Sequence, residues 1–243
     1  MKIGVVGAGV MGSGIAQVTA TAGYDTVCYD VDPAALERAV AHVTTGRYGF
    51  DRGVERGKLS PAEAEAALAR LSFTSSFADA TAVDVVVEAV PENLELKQQV
   101  FRDLDAAAPP ATILASNTSG FPIAQIAEVT ARPELVIGWH WASPPVVMRL
   151  AEIVRTDTTS AATVATITEM AAACGKHPVV IDDTTSAWGF VANRVYAAMI
   201  REANRVVDEG IATREQVDDL MVDCFNWPVG PFGMSRGARS GWD

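Results

Sequence analysis

The sequence predicts a doubly wound α/β fold followed by a small, purely helical region, and three observations carry that prediction. First, the apolar run Ile3 to Val6 leads straight into Gly7-Ala8-Gly9-Val10-Met11-Gly12-Ser13-Gly14 and then a helical pattern through Ile15, Ala16 and Val18, the strand–turn–helix that opens such sheets. Second, short apolar runs alternate with helix-length segments as far as Ile181. One of them, Val83 to Val90, is nearly unbroken, as suits a strand covered by helices on both faces. Third, beyond the polar cluster at Asp182 to Ser186 the pattern is helical only. The expected division is a dinucleotide-binding domain over 1–183 and a short all-α domain over 184–243.

Each glycine of the opening turn has its own physical task. Gly7 permits the sharp turn, Gly9 lets backbone approach a pyrophosphate, and Gly12 lets the helix pack closely on the sheet. The helix then offers unpaired N–H groups and a partial positive charge to the phosphates. A cofactor is therefore expected along Gly7, Ala8, Gly9, Val10, Met11 and Gly12. Asp25 to Tyr29 reads as the second strand and Asp30 ends it, about twenty residues beyond the glycines, where a carboxylate accepts hydrogen bonds from an adenosine ribose. That carboxylate would repel a 2′-phosphate and no arginine follows it, so NAD is expected rather than NADP. Asp32-Pro33 caps the next helix, which leaves Asp30 for the ligand.

Of the 243 residues 49% are hydrophobic, ample for a large core, and the net charge of −11 argues against nucleic acid or an anionic membrane as a general partner. An anionic ligand still finds a place wherever basic residues cluster. Cys28, Cys174 and Cys224 are odd in number and lack metal-ligand spacing, so no metal site is expected and a reducing, cytoplasmic setting is the simplest reading. Met1-Lys2 and the apolar residues after them form a first strand rather than a signal peptide, because glycines break the run and no cleavage site follows. No stretch approaches the length of a membrane span.

Residues 34–71 read as two helices, the second opened by the capping box Ser60-Pro61-Ala62-Glu63. Between them Arg47, Arg52, Arg56 and Lys58 form either a solvated helix end or a landing place for an anionic substrate. Glu88 is odd inside the buried run 83–90, and with Glu92 and Lys97 it lies where polar groups at a strand's carboxyl end face the ligand crevice. A helix over 94–104 and a strand over 112–116 follow, ending in Ser116-Asn117-Thr118-Ser119. The next strand is 135–139, with His140 at its end. Met148 to Val154 is another, with Glu152 inside its apolar pattern. A helix over 161–174 and a strand over 178–181 complete the sheet. Helices are then expected over 188–210 and from the capping box at Thr213 onward, and the last dozen residues read as irregular.

The imidazole is the side chain best suited to reversible proton transfer near neutrality, and a carboxylate on its other nitrogen fixes the tautomer. His42 lies on a surface helix and His177 in a Gly-Lys-His-Pro turn. His140 alone combines a strand end with an otherwise unexplained acid, Glu152, on the next strand, which makes the pair the candidate base and orienter.

Seven motifs in order, Gly7-x-Gly9-x-x-Gly12, Glu88-Ala89-Val90-Pro91-Glu92-Asn93, Ser116-Asn117-Thr118-Ser119, Gly138-Trp139-His140, Leu150-Ala151-Glu152-Ile153-Val154, Gly189-Phe190-x-x-Asn193-Arg194 and Gly230-Pro231-Phe232, closely resemble the NAD-dependent 3-hydroxyacyl-CoA dehydrogenases. The resemblance implies a Rossmann-type first domain and interconversion of 3-hydroxyacyl-CoA and 3-oxoacyl-CoA. It implies His140 as catalytic histidine, Glu152 as its partner, Ser119 as a contact to the reacting oxygen and Asn193 facing the active site from the second domain. Glu92, Lys97 and Ser119 match cofactor contacts, with Asn117 beside them. Coenzyme A contacts fall in the poorly aligned excursion after the second strand, where Thr45 and Arg52 have suitable chemistry. For Ser119 a turn or cap before Phe121-Pro122 competes with this role, and for Asn193 a helix-start hydrogen bond does.

Two departures from the family stand out. Its histidine motif continues with two aromatics, asparagine and proline, whereas here Trp141-Ala142-Ser143-Pro144 follows, so Ser143 replaces an asparagine and either opens room for a different acyl group or relies on a bridging water. The helical region is short, because the family adds helices that complete a dimer and close over the cofactor. A truncated product and a lineage with a reduced second domain are both open, and a homodimer is expected if the region suffices. The substrate is accordingly an acyl-CoA or a small free hydroxy acid of the gulonate or carnitine type. A catalytically poor NAD-binding protein is the third alternative.

Overall fold

Strand β1 (Lys2–Val6) is buried from Ile3 onward, as an apolar run must be when helices cover both faces of its sheet. The computed structural model describes residues 1–186 and 188–240, without the side chains of 236–240. After β1 come α1 (Val10–Thr21), β2 (Asp25–Tyr29), α2 (Pro33–Thr44), α3 (Phe50–Glu55), α4 (Pro61–Leu68), β3 (Leu71–Thr74), α5 (Phe77–Thr81), β4 (Val85–Glu88), α6 (Leu94–Ala107), β5 (Ile113–Ser116), α7 (Ile123–Ala127), β6 (Val136–Trp141), β7 (Leu150–Arg155), α8 (Ala161–Ala173) and β8 (His177–Asp182). The remaining helices are α9 (Val191–Asp208), α10 (Arg214–Phe225) and α11 (Pro231–Ser240).

The eight strands form one sheet in the order β3-β2-β1-β4-β5-β6-β7-β8. The first six are parallel, and the order reverses between β1 and β4, the place where doubly wound sheets bind dinucleotides. Strand β7 then pairs antiparallel with β6, and β8 parallel with β7. The core runs from Ile3, Val5 and Ile15 through Val85, Val87 and Ala115 to Trp139, Trp141, Ile153 and Met170. The chain divides into two units, 1–187 and 188–243. Within the second, Ala203, Val217 and Phe232 form a separate small core.

Local chemistry explains most of the boundaries. Asp32 accepts from the Ala34 N–H at 2.9 Å with Pro33 at the first helical position, and Ser60–Glu63 and Thr213–Gln216 close reciprocal capping boxes. Among the described residues no helix is long and apolar enough to cross a membrane.

Several elements differ from expectation. Strand β3 and helix α5 went unforeseen: the former has four residues on the sheet edge and the latter five, too few for a period to show. Within the basic stretch, α3 exists because Phe50 turns inward onto Val43, Ala64 and Ala67. Helix α7 forms because the Asp183 carboxylate accepts from the Ile123 and Ala124 N–H groups. The segment expected to be irregular is helical through Ser240. Asp218 on α10 caps α11 by accepting from the Phe232 and Gly233 N–H groups at 2.7 and 2.9 Å, which offsets its glycine content; residues 241–243 lie outside the described residues. His42 is half-buried rather than on the surface, its Nδ1 2.7 Å from Ser13 Oγ, and burial lowers its pKa.

Candidate functional site

The turn after β1 is built so that only glycine fits where it must and nothing fills the space where a ligand would lie. Gly7 has φ +104°, and a Cβ there would stand 2.7 Å from the Ala89 carbonyl oxygen of the loop after β4. At Gly12 a Cβ would fall 1.7 Å from the Gly7 oxygen, so any side chain pushes α1 off the sheet. Around Gly9, by contrast, a Cβ would meet nothing within 4 Å. Helix α1 begins at Gly9 with no side-chain cap and no acid in its first turn, so the first N–H groups face that space with their partial positive charge unanswered. Ala8 is buried while Val10 is exposed; Met11, intermediate in exposure, packs against the core.

Asp30 stands at the end of β2. Its Oδ2 accepts from the Ala8 N–H at 2.8 Å and its Oδ1 from the Asp32 N–H at 3.0 Å, which ties the glycine turn to the ribose-reading position. The open ground over Gly9, the uncapped helix and this carboxylate fit a dinucleotide. Gly9→Ala separates fold from binding, since Gly9 has an ordinary φ of −69° and open surroundings. The variant should melt within about 2 °C of wild type, yet bind NADH at least about tenfold more weakly by calorimetric titration, because its methyl occupies the phosphate's approach. Unchanged affinity would remove Gly9 from the cradle.

The second wall is a polar network inside the sheet's carboxyl edge. Glu88 is fully buried. Its Oε1 accepts from Lys97 Nζ at 2.8 Å and the Val90 N–H at 2.7 Å, and its Oε2 from Ser116 Oγ at 2.6 Å. Lys97 also pairs with Glu92 Oε2 at 3.2 Å, and Glu92 Oε1 accepts from Thr118 Oγ1 at 2.5 Å and the Ser119 N–H at 3.0 Å. Lys97, expected at the cofactor, has only 1% of its side chain exposed. In this structure it offers a ligand almost no surface and instead holds Glu92 against the Ser119 loop. Thr118 Oγ1 accepts from the Gly120 and Phe121 N–H groups, so Thr118 makes the turn that Ser119 was a candidate for. Asn117 is buried and accepts the Trp141 N–H at 3.0 Å, which anchors the strand that carries His140.

His140 lies within β6 rather than beyond it, because Trp141 continues the pairing with Ala151 on β7. The antiparallel register sets His140 directly opposite Glu152, and facing residues project from the same side of a sheet. Their side chains meet at 2.6 Å from Nδ1 to Oε2, with both residues at most 5% exposed. An ionised carboxylate can only accept, so Nδ1 is the nitrogen that carries a proton toward Glu152, which leaves Nε2 as the nitrogen for proton exchange.

Beyond the loop 142–149 that joins β6 and β7 lies a cavity of about 730 Å³. Arg47, Arg52, Arg56, Lys58, Arg149 and Lys176 line it, and no acidic residue does, on a chain whose net charge is −11. Arg52 thus reaches the cavity, with an ion pair to Glu55 at 2.6 Å. Thr45 does not line it; its hydroxyl turns back to the Ala41 carbonyl at 3.2 Å, closing α2. Arg149 and Lys176 went unread in the sequence because each enters from an element far along the chain. Cys174 also lines the cavity, but burial pushes its thiol up to about 12, as it does for Cys28, and both stay protonated and inert. In the second unit Asn193 is exposed on α9, whose start has no side-chain cap, so the competing helix-start role is not taken up.

Comparison with known proteins accords with this geometry. Residues 2–184 match the family described as 3-hydroxyacyl-CoA dehydrogenase, NAD binding domain, and residues 189–240 match 3-hydroxyacyl-CoA dehydrogenase, C-terminal domain. The chain is 41% identical over 234 residues to the probable 3-hydroxybutyryl-CoA dehydrogenase of Bacillus subtilis (strain 168), which spans 96% of this chain and 79% of that protein. It is 36% identical over 230 residues to the 5-formyl-3-hydroxy-2-methylpyridine 4-carboxylate 5-dehydrogenase of Mesorhizobium japonicum, spanning 94% of this chain and 71% of the other. Among solved structures, the (S)-3-hydroxybutyryl-CoA dehydrogenase of Ralstonia eutropha superposes with a TM-score of 0.88 at 38% identity, over 95% of this chain and 79% of the other. With both regions matched in order along nearly its whole length, the chain belongs to the NAD-dependent 3-hydroxyacyl-CoA dehydrogenase family.

Proposed function

We propose that this protein interconverts 3-hydroxyacyl-CoA and 3-oxoacyl-CoA. When bound, NAD supplies the acceptor for the hydride that leaves the alcohol carbon. His140 takes the hydroxyl proton on Nε2 as the carbonyl forms and returns it in the reverse direction. Glu152 holds the ring through Nδ1–H and stabilises the imidazolium while it lasts. Ser119, whose N–H is fixed by Glu92, is the proposed contact to the reacting oxygen, and Asn193 is a further proposed catalytic residue on the family resemblance. The glycine turn and Asp30 are the proposed hold on the cofactor, with Glu92, Asn117 and Ser119 on its nicotinamide side.

The observation that carries the substrate class is the basic cavity. A CoA thioester brings several phosphate charges and a long polar arm. Arg47, Arg52, Arg56, Lys58 and Arg149 are the lining cations proposed to meet those charges, and the loop bearing Val146, Val147 and Arg149 joins that cavity to the His140–Glu152 strand pair. A small free hydroxy acid has no need of such a surface. That second reading stays in play on one observation: a relative at 36% identity is named for a pyridine carboxylate substrate.

Reduction of acetoacetyl-CoA by NADH, measured beside oxidation of gulonate, carnitine and free 3-hydroxybutyrate by NAD, separates the two. The thioester should be preferred at least about 100-fold in kcat/KM. Arg52→Ala with Arg56→Ala should raise its KM about tenfold, roughly 1.4 kcal/mol, and leave any free acid's KM alone. Robust oxidation of a free acid without thioester turnover would overturn the assignment.

A further inference from the structure

Lys176 stands just before β8 and is only 9% exposed, yet among the described residues no carboxylate lies within ion-pair distance of it. A buried charge is costly unless its donors are met. Here the ammonium donates to two carbonyl oxygens of one loop, those of Pro145 and of Met148, the latter at 2.8 Å. It also sits 5.2 Å from the centre of the Trp141 ring, a favourable place for a cation. The adjoining His177 N–H donates to the Arg149 carbonyl at 2.7 Å. The loop is therefore laced at three carbonyls to residues 176 and 177. On its other side Pro145 presses on α1, where a Cβ at Gly14 would lie 3.1 Å from the proline ring.

We propose that Lys176 is a positioning residue for the acyl substrate: it latches the loop between the His140 and Glu152 strands so that Val146, Val147 and Arg149 stand as one wall of the basic cavity. This rests on the acyl-CoA reading above. A lysine suits the task because its three donors diverge from a point, two to carbonyls and one to a ring face, whereas the planar fork of arginine does not. An apolar residue of the same length would fill the volume at less cost in desolvation, which already pulls the Lys176 pKa down. The charge therefore serves the loop's position rather than the bulk of the fold. His140 and Glu152 have their own supports in strand pairing and Asn117, so the latch acts on substrate binding more than on proton transfer.

The test is steady-state kinetics of Lys176→Met with acetoacetyl-CoA and NADH varied in turn. The KM for the thioester should rise about tenfold while the KM for NADH stays within about twofold and kcat within about threefold. Amide exchange at Val147 and Met148, whose N–H groups bond the Pro144 carbonyl, should quicken while that of α1 does not. A parallel rise in both KM values, or a lower melting temperature with unchanged KM values, would show a purely structural lysine and overturn the proposal. If the methionine variant does not fold, Lys176→Arg, which keeps the charge but not the geometry, carries the same comparison. Should wild type oxidise a free hydroxy acid and leave the thioester untouched, the acyl-CoA reading fails by itself. The latch is then judged by the same KM split on that acid.

Discussion

His140→Gln is expected to lower kcat for acetoacetyl-CoA reduction by about three orders of magnitude, the scale of a lost general acid–base group, and to leave NADH affinity unchanged. The reasoning is local. The glutamine amide can keep a donor toward Glu152, so the pair at 2.6 Å is imitated and the strand register is not strained. What disappears is a nitrogen that can both take and return a proton. The proposed cofactor contacts lie on the turn after β1, on α1, at the end of β2 and in the loops after β4 and β5, and none of them belongs to β6. Stopped-flow turnover together with NADH titration reads both quantities. Equal kcat in variant and wild type would strip His140 of its role, and NADH binding by a wild type that turns over neither thioester nor free acid would favour a non-catalytic binding protein.

Lys97→Met should be the most destabilising single change in the sheet's polar edge. Glu88 is wholly buried, and the ammonium that answers its charge is itself 1% exposed. Removing one partner of such a pair costs about 3–5 kcal/mol, because the other charge stays behind without compensation. For a chain of this size that corresponds to a fall of roughly 10 °C in melting temperature. The double variant Glu88→Gln, Lys97→Met should recover part of the loss, since no buried charge is then stranded, and thermal melts of the three proteins decide it. If the single variant melts like wild type, the network is ornamental. The kinetics add a second reading: with Lys97 gone, Glu92 loses the charge that steadies it against Thr118 and Ser119, so the thioester's kcat should fall further than any loss of folded protein explains.

The cofactor turn was legible in the sequence because Gly7 and Gly12 are demanded by distances no other residue satisfies, and because Asp30 follows at the spacing a second strand imposes. The His140–Glu152 pairing was legible for a related reason, since an acid in an apolar strand needs a partner, and a histidine one strand earlier supplies it. What sequence cannot show is reach. Lys176 meets carbonyls 28 and 31 residues away, and Glu88 meets Ser116 28 residues on. No periodicity marks such side chains, whose purpose lies in loops brought near by the sheet order. The misread C-terminus has the same origin. Its glycines argue locally against a helix, while the cap that permits one comes from Asp218, fourteen and fifteen residues earlier than the groups it holds. Thr45 illustrates the opposite error: a hydroxyl of suitable type in the expected place is consumed by its own helix.

The reversal of chain direction at β7 has a consequence for how such an enzyme is inherited. Because β6 and β7 are antiparallel neighbours, His140 and Glu152 face each other although only twelve positions separate them. The proton-handling unit is thus a short cassette, contiguous in the gene. The glycine turn and Asp30, proposed to hold the adenosine side of the cofactor, form a second one within the first thirty residues. The loop of the first still touches the second, because Pro145 packs against Gly14 of α1, so a new substrate tried in that loop has to leave this proline in place.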